Sequence, residues 1–176
     1  MNQRIEKKGI AAWIVVLAVA MVILPLVQRA HGKTADETAI RARIDAVMAA
    51  IHAKDVNKIM SFYAPGEDLV AFDVIPPRQY VGWSAYQKDW QGFIDMFEGP
   101  INFDRDDLKI ETSGNLAYSH SIDHVSGKLK GGGPIEVVLR VTDVFRKING
   151  RWLVVHEHVS VPVDLATGKA DLLSKP

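Results

Sequence analysis

Three kinds of hydrophobic pattern follow one another along this chain. Ile10 to Val27 is an unbroken apolar run without charge. From residue 36 to about 97 the apolar positions recur mainly at helical spacing. From residue 107 onward they alternate. Thr34-Ala35-Asp36-Glu37 is a capping box, in which threonine and glutamate satisfy each other's free backbone N–H groups. Ile40, Ile44, Val47, Met48 and Ile51 then form one apolar helical face, with Arg41, Arg43 and Asp45 off it. Asp55 is placed to cap a shorter second helix carrying Val56, Ile59, Met60 and Tyr63, which Pro65-Gly66 ends. Leu69 to Ile75 reads as a strand, apolar on both faces except for Asp73 and stopped by Pro76-Pro77. Gln79 to Val81 reads as a short strand. Ser84-Ala85-Tyr86-Gln87 predicts the start of a third helix bearing Tyr86, Trp90, Phe93, Ile94 and Phe97, closed by Gly99-Pro100.

Asp107 to Thr112, Asn115 to Ser126, Ile135 to Lys147 and Arg151 to Val161 read as strands. Asn149-Gly150 between the last two is a strong hairpin signal, because both residues tolerate positive φ. Helices first and a strand meander second predict an α+β domain, its helices on one face of an antiparallel sheet. Strict alternation puts Trp152, Val154, His156, His158 and Ser160 on one face of the last strand. Leu153, Val155, Glu157, Val159 and Val161 then share the other. In the preceding strand, Arg140 and Thr142 are expected inward with Val138 and Val144, although Leu139, Val141 and Phe145 form an equally apolar rival face.

The N-terminus changes what counts as the domain. Arg4, Lys7 and Lys8 precede the apolar run, and Ala30 and Gly32 set small residues before Lys33. This is the layout of a secretory signal peptide over residues 1–32. The competing reading is a retained membrane anchor over residues 10–27, which would span about 27 Å against a hydrocarbon core of about 30 Å. Either way the domain is expected to be exported, periplasmic or secreted, with membrane contact only through this segment. Loss of the leader removes four of the 21 basic and one of the 21 acidic residues, leaving a net charge of −3. That balance, without a basic run, argues against nucleic acid as a partner. The chain has no cysteine, so a core rather than disulfides must hold it.

Arg140-Val141-Thr142-Asp143, Asn149-Gly150-Arg151-Trp152 and His156-Glu157-His158-Val159-Ser160-Val161-Pro162 carry a family resemblance. So do Phe72-Asp73-Val74-Ile75-Pro76-Pro77, Tyr80-Val81-Gly82 and Lys88-Asp89-Trp90. The chain resembles the SnoaL-like, ketosteroid-isomerase-like branch of the nuclear transport factor 2-like superfamily over about residues 36–164. The resemblance implies a cone-shaped half-barrel, three N-terminal helices packed on a curved antiparallel sheet, with a pocket between them and often a homodimer. The division is then 1–32 leader or anchor, 33–164 SnoaL-like domain and 165–176 polar tail with weak structure. Members include isomerases, cyclases, dehydratases and association modules, so fold alone does not choose an activity.

The candidate site is built on Asp73, His156 and His158 as catalytic groups, with Tyr63, Tyr80, Trp83, His120, Arg140 and Thr142 around a small, partly apolar ligand. Asp73 interrupts an apolar strand, and a desolvated carboxylate becomes a competent general base. Tyr63 or a histidine could polarise a carbonyl, the division of labour that the resemblance implies. This would make a cofactor-independent isomerase or lyase. Against it stands an ion pair of Asp73 with Arg140, which would hold Asp73 ionised and end its use as a base. The acid that ketosteroid isomerase places beside its tyrosine has no clear counterpart, and the phase of Asp123 is open. His156 with His158, and His120 with His124, could chelate zinc or copper, but spacing supplies no third and fourth ligand. A non-catalytic dimeric association module is the remaining class.

Overall fold

The computed structural model describes residues 35–174. The apolar segment 10–27, the proposed cleavage site and the Thr34 capping box lie outside them. Among the described residues no helix is long and apolar enough to cross a membrane.

Helix α1 covers residues 35–52 and buries Ile40, Ile44, Val47 and Ile51, the stripe read from the sequence. Helix α2, Val56–Met60, is capped by Asp55, whose carboxylate accepts the Lys58 N–H at 3.1 Å. Strands β1 (Val70–Phe72) and β2 (Tyr80–Val81) precede helix α3 (Trp83–Asp95). Strands β3 (Phe97–Ser113), β4 (Leu116–Leu129), β5 (Pro134–Ile148) and β6 (Arg151–Ser160) complete the chain order. They form a sheet in the order β2-β1-β6-β5-β4-β3, with β1 and β6 parallel and the other neighbours antiparallel. The three helices pack on one face of this curved, unclosed sheet, the expected α+β arrangement.

Several boundaries differ from the sequence reading. Helix α3 is capped by Gly82 at φ 87°, not by Ser84. A Cβ on Gly82 would stand 2.7 Å from a Glu67 carboxylate oxygen, which can swing aside, so it is the backbone angle that favours glycine there. The helix ends at Asp95, and Gly99-Pro100 lies within β3 instead of closing the helix. The β3–β4 register slips between Glu98 and Ile101, so a bulge absorbs the two turn-forming residues while the ladder continues. Asn149 and Gly150 do form the hairpin, with φ of 49° and 77°.

The phase of both last strands also differs. Leu139, Val141, Asp143 and Phe145 of β5 are buried, and Arg140 and Thr142 are exposed. The rival face therefore points inward. In β6, Phe145 pairs with Val154 but Val144 pairs with His156, leaving Val155 as an extra residue. This bulge reverses the strand's alternation. Trp152 and Val154 join the main core before it, and Val159 joins the same core after it. His156, His158 and Ser160 thus do not share the face of Trp152 and Val154. Leu153 and Val155 pack with Ala64 in a separate small cluster. The tail is not loose either. Asp164 accepts from Ala166 and Thr167, Val163 bridges Ala170, and the Val138 N–H donates to the Leu172 carbonyl at 2.7 Å.

Candidate functional site

Between helices and sheet lies a cavity of about 310 Å³. A wider surface depression near α2 and α3, about 680 Å³, is lined by Lys54, Asp55, Asn57 and Gln87 and gathers none of the buried acids. Chemistry is concentrated in the inner cavity. Its walls are apolar and aromatic, with Phe62, Trp90, Phe93, Phe103, Leu139 and Val141 among them. Three polar groups interrupt those walls.

The first is centred on Glu157, brought inward by the Val155 bulge. Tyr63 donates to its Oε2 at 2.6 Å and Tyr86 to its Oε1 at 2.7 Å, while the Trp90 indole N–H donates to the Tyr63 hydroxyl at 3.2 Å. Tyr63 is held in place because the segment after α2 runs beside β6. Ala64 N–H bonds Val154 C=O at 2.8 Å, and Val154 N–H bonds Phe62 C=O at 3.0 Å. Tyr86 and Trp90 come from one face of α3. Burial, and then the charge of Asp143, push the Glu157 carboxyl well above its ordinary range. Asp143 is its direct cross-strand partner. Burial raises Asp143 as well, against the opposing pull of Arg105. Two acids directly opposite in a buried ladder cannot both ionise cheaply.

The second is an arginine cluster. Arg105 Nε and Nη2 donate to the Asp123 carboxylate at 2.8 and 2.6 Å, and Ser121 donates to Asp123 at 3.0 Å. Arg105 Nη1 stands 3.7 Å from Asp143 Oδ2, which also accepts from Ser119 at 3.3 Å. Burial works against the charged guanidinium, but its bonds to Asp123 and the surrounding carboxyls outweigh that and raise its pKa.

The third is Asp73, just after β1, with Asp89 of α3 close to it, both on the cavity lining. Burial, and then the charge of Asp89, push the Asp73 carboxyl up to about 6, against the opposing backbone N–H of Val74. No cation is among the groups acting on it.

Of the residues proposed from sequence, the structure brings Asp73 and Tyr63 to the cavity lining. Tyr80 packs against Tyr86 at 5.8 Å between ring centres and donates to the Pro76 carbonyl. Trp83 donates its indole N–H to the Met60 carbonyl, tying α3 to α2. His156 and His158 lie on the outer face, both edge-on to Phe72, with His156 Nδ1 2.8 Å from the Val70 carbonyl. His120 is exposed and stacks on Tyr118. Arg140 and Thr142 are exposed on that outer face, so the Asp73–Arg140 ion pair does not form. Among the described residues no group of three or more histidine, aspartate or glutamate side chains is arranged to hold a metal ion. The sequence reading missed Glu157, Arg105, Tyr86 and Asp89 as cavity groups, and Asp143 as the buried acid facing Glu157. Glu157 and Asp143 did carry a signal, since each is an acid flanked at two-residue spacing by apolar residues, like Asp73.

The SnoaL-like domain family matches residues 40–164. The chain belongs to that family, within the nuclear transport factor 2-like superfamily. A nuclear transport factor 2-like protein of unknown function from Pseudomonas putida KT2440 is 35% identical over 81% of this chain and 98% of its own, with a TM-score of 0.73. A superfamily protein from Salmonella enterica serovar Typhimurium LT2 is 19% identical over 77% and 99%, with a TM-score of 0.66. A ketosteroid isomerase-like protein from Erwinia carotovora atroseptica is 18% identical over 70% and 93%, at 0.59. The last two share the fold. No curated protein matches the chain.

Proposed function

We propose that this domain binds a small, largely apolar molecule in the inner cavity and moves a proton on it, with Asp73 as general base and no cofactor. The reaction class is isomerisation or elimination next to a carbonyl. The observation that carries the reading is Asp73 itself, a carboxyl on an otherwise apolar wall, partly desolvated and unpaired with any cation. Desolvation brings its proton affinity close to neutral pH, where a base is both ionised and strong enough to act. A carboxylate held by Arg140 would have been too weak, and Arg140 is exposed on the outer face.

Deuterium exchange tests this. The full chain in D2O should catalyse exchange at the carbon next to the carbonyl of cyclohexanone, followed by NMR. Asp73→Asn should slow it by about 10²- to 10⁴-fold, the usual contribution of a positioned general base. Exchange that persists undiminished in the folded variant would remove Asp73 from the role.

A further inference from the structure

Gly127 sits inside β4 without a positive φ, so nothing in its backbone calls for glycine. The need is one of space. A Cβ there would stand 2.6 Å from Phe97 Cδ1, 2.9 Å from its Cε1 and 3.2 Å from the Pro100 carbonyl oxygen. Glycine inside a strand weakens it and marks a close approach, here that of the Phe97 ring. Phe97 is 3% exposed and lines the inner cavity. It is also the last ring of an aromatic wall. Tyr86, Trp90 and Phe93 recur along α3 at helical spacing, and Phe97 continues the stripe just after the helix. Successive rings meet edge-on, with centres 6.3, 5.7 and 5.2 Å apart. All four line the cavity. Asp89 lies on the same helix, close to Asp73. A rise of about 1.5 Å per residue puts Phe97 about 12 Å further along than Asp89. The cavity therefore has an acid end at Asp73 and Asp89 and an apolar end at Phe97.

We propose that Phe97, seated on Gly127, sets the length of the apolar tail that a ligand of this cavity can carry. The inference rests on the cavity being the ligand site and Asp73 the base, as proposed above. With the reacting carbonyl at the acid end, the rest of the ligand lies along the aromatic wall and its tip meets the Phe97 ring. That ring is backed by Gly127 on the sheet side and flanked by Phe93 on the helix side. Close packing on two sides holds it in one place, so the wall is fixed and not adjustable. A group added at position 127 has to lift the ring off the strand, toward the space that a ligand's tip would use. Phe93, Phe97 and Val125 offer a polar tip no hydrogen-bond partner. The substrate class is therefore a ketone with an apolar tail remote from its carbonyl, and the site selects on the length of that tail.

Calorimetric titration and deuterium exchange on the full chain test this, with cyclohexanone and its 4-methyl, 4-ethyl, 4-butyl and 4-hexyl derivatives as probes. In the wild type, affinity should rise as the first methylenes are buried, then drop about tenfold or more once the tail meets Phe97. Exchange, as kcat/KM relative to cyclohexanone, should follow the same order. Phe97→Leu should move the drop to a longer derivative, and Gly127→Ala to a shorter one. A merely loosened fold does not give opposite shifts, and thermal melts check that each variant is folded. Phe97→Met, close in volume but flexible, should blunt the drop and serves if another variant does not fold. A crystal structure of the wild type with its tightest probe should place the alkyl tip against the Phe97 ring. No drop in the wild type, an unchanged order in the folded variants, or a tip seated elsewhere would overturn the length limit and leave the cavity a ligand site. Failure of every probe to bind would overturn both. A length limit that persists in binding while Asp73→Asn leaves exchange undiminished would support Phe97 in this role and remove only the base.

Discussion

Asp73 shows how one side chain couples proposed activity to stability. Its carboxyl holds a proton up to about pH 6 in the folded chain, against an ordinary value of 3.8. Between those values the folded state binds more protons than the unfolded one. Stability therefore falls as pH rises from about 4 to 6, then levels off. The ionised form that a base requires is the less stable form. Asp73→Asn should then raise stability at pH 7 by on the order of 1–2 kcal/mol, discounted from the full shift because the side chain is partly solvated. At pH 4 the same substitution should gain little. Urea melts at the two pH values measure this, and an equal gain at both would contradict the assignment. Exchange of cyclohexanone should conversely rise with pH through about 6. Glu157 follows the same logic deeper in the cavity, where burial and the facing Asp143 hold its carboxyl well above the ordinary range.

The Val155 bulge is the element on which this geometry depends. One extra residue in β6 moves Glu157 onto the cavity side and turns His156 and His158 outward. Deleting Val155 should restore strict alternation. Either His156 and His158 would then enter the core in place of Glu157 and Val159, or Trp152 and Val154 would leave it. Both options exchange buried apolar surface for unpartnered polar groups, at a cost above about 4 kcal/mol. The expected result is a chain that no longer unfolds cooperatively in a thermal melt; a melt close to that of the parent would show that β6 can slip its register freely. The same bulge explains where sequence reading stopped. The α1 stripe, the Asp55 cap and the Asn149-Gly150 hairpin rest on local spacing and backbone preference, and all were legible. Asp73 was legible because it breaks an apolar strand. The faces of β5 and β6 were not, since both are apolar and a bulge leaves no residue signature at Val155. With that phase wrong, the histidines and Arg140 took the place of Glu157, Asp143 and Arg105.

At the scale of the whole domain, the tail helps to close the cavity. An unclosed sheet leaves β5 with ladder groups that β6 does not reach, because β6 ends at Ser160 opposite Arg140. Val138 lies just beyond, and its N–H would face solvent or cavity without a partner. Leu172 returns to supply that carbonyl, while the Asp164 turn and the Val163–Ala170 bridge fold the chain back to reach it. Ala170 and Leu172 then become part of the cavity lining, next to aliphatic residues of β5. A chain ending after Asp164 loses one ladder hydrogen bond and part of the burial of two apolar side chains. Leu172 is still 43% exposed, so the sum is modest, about 1–2 kcal/mol. The loss should fall on the cavity more than on the core, since Ile40, Ile44, Trp152 and Val154 are buried without the tail's help. Truncation should therefore lower the melting temperature by only a few degrees yet markedly raise binding of an apolar fluorescent dye. A truncated protein that binds no more dye than the full chain would mean that Ala170 and Leu172 merely touch the cavity rim.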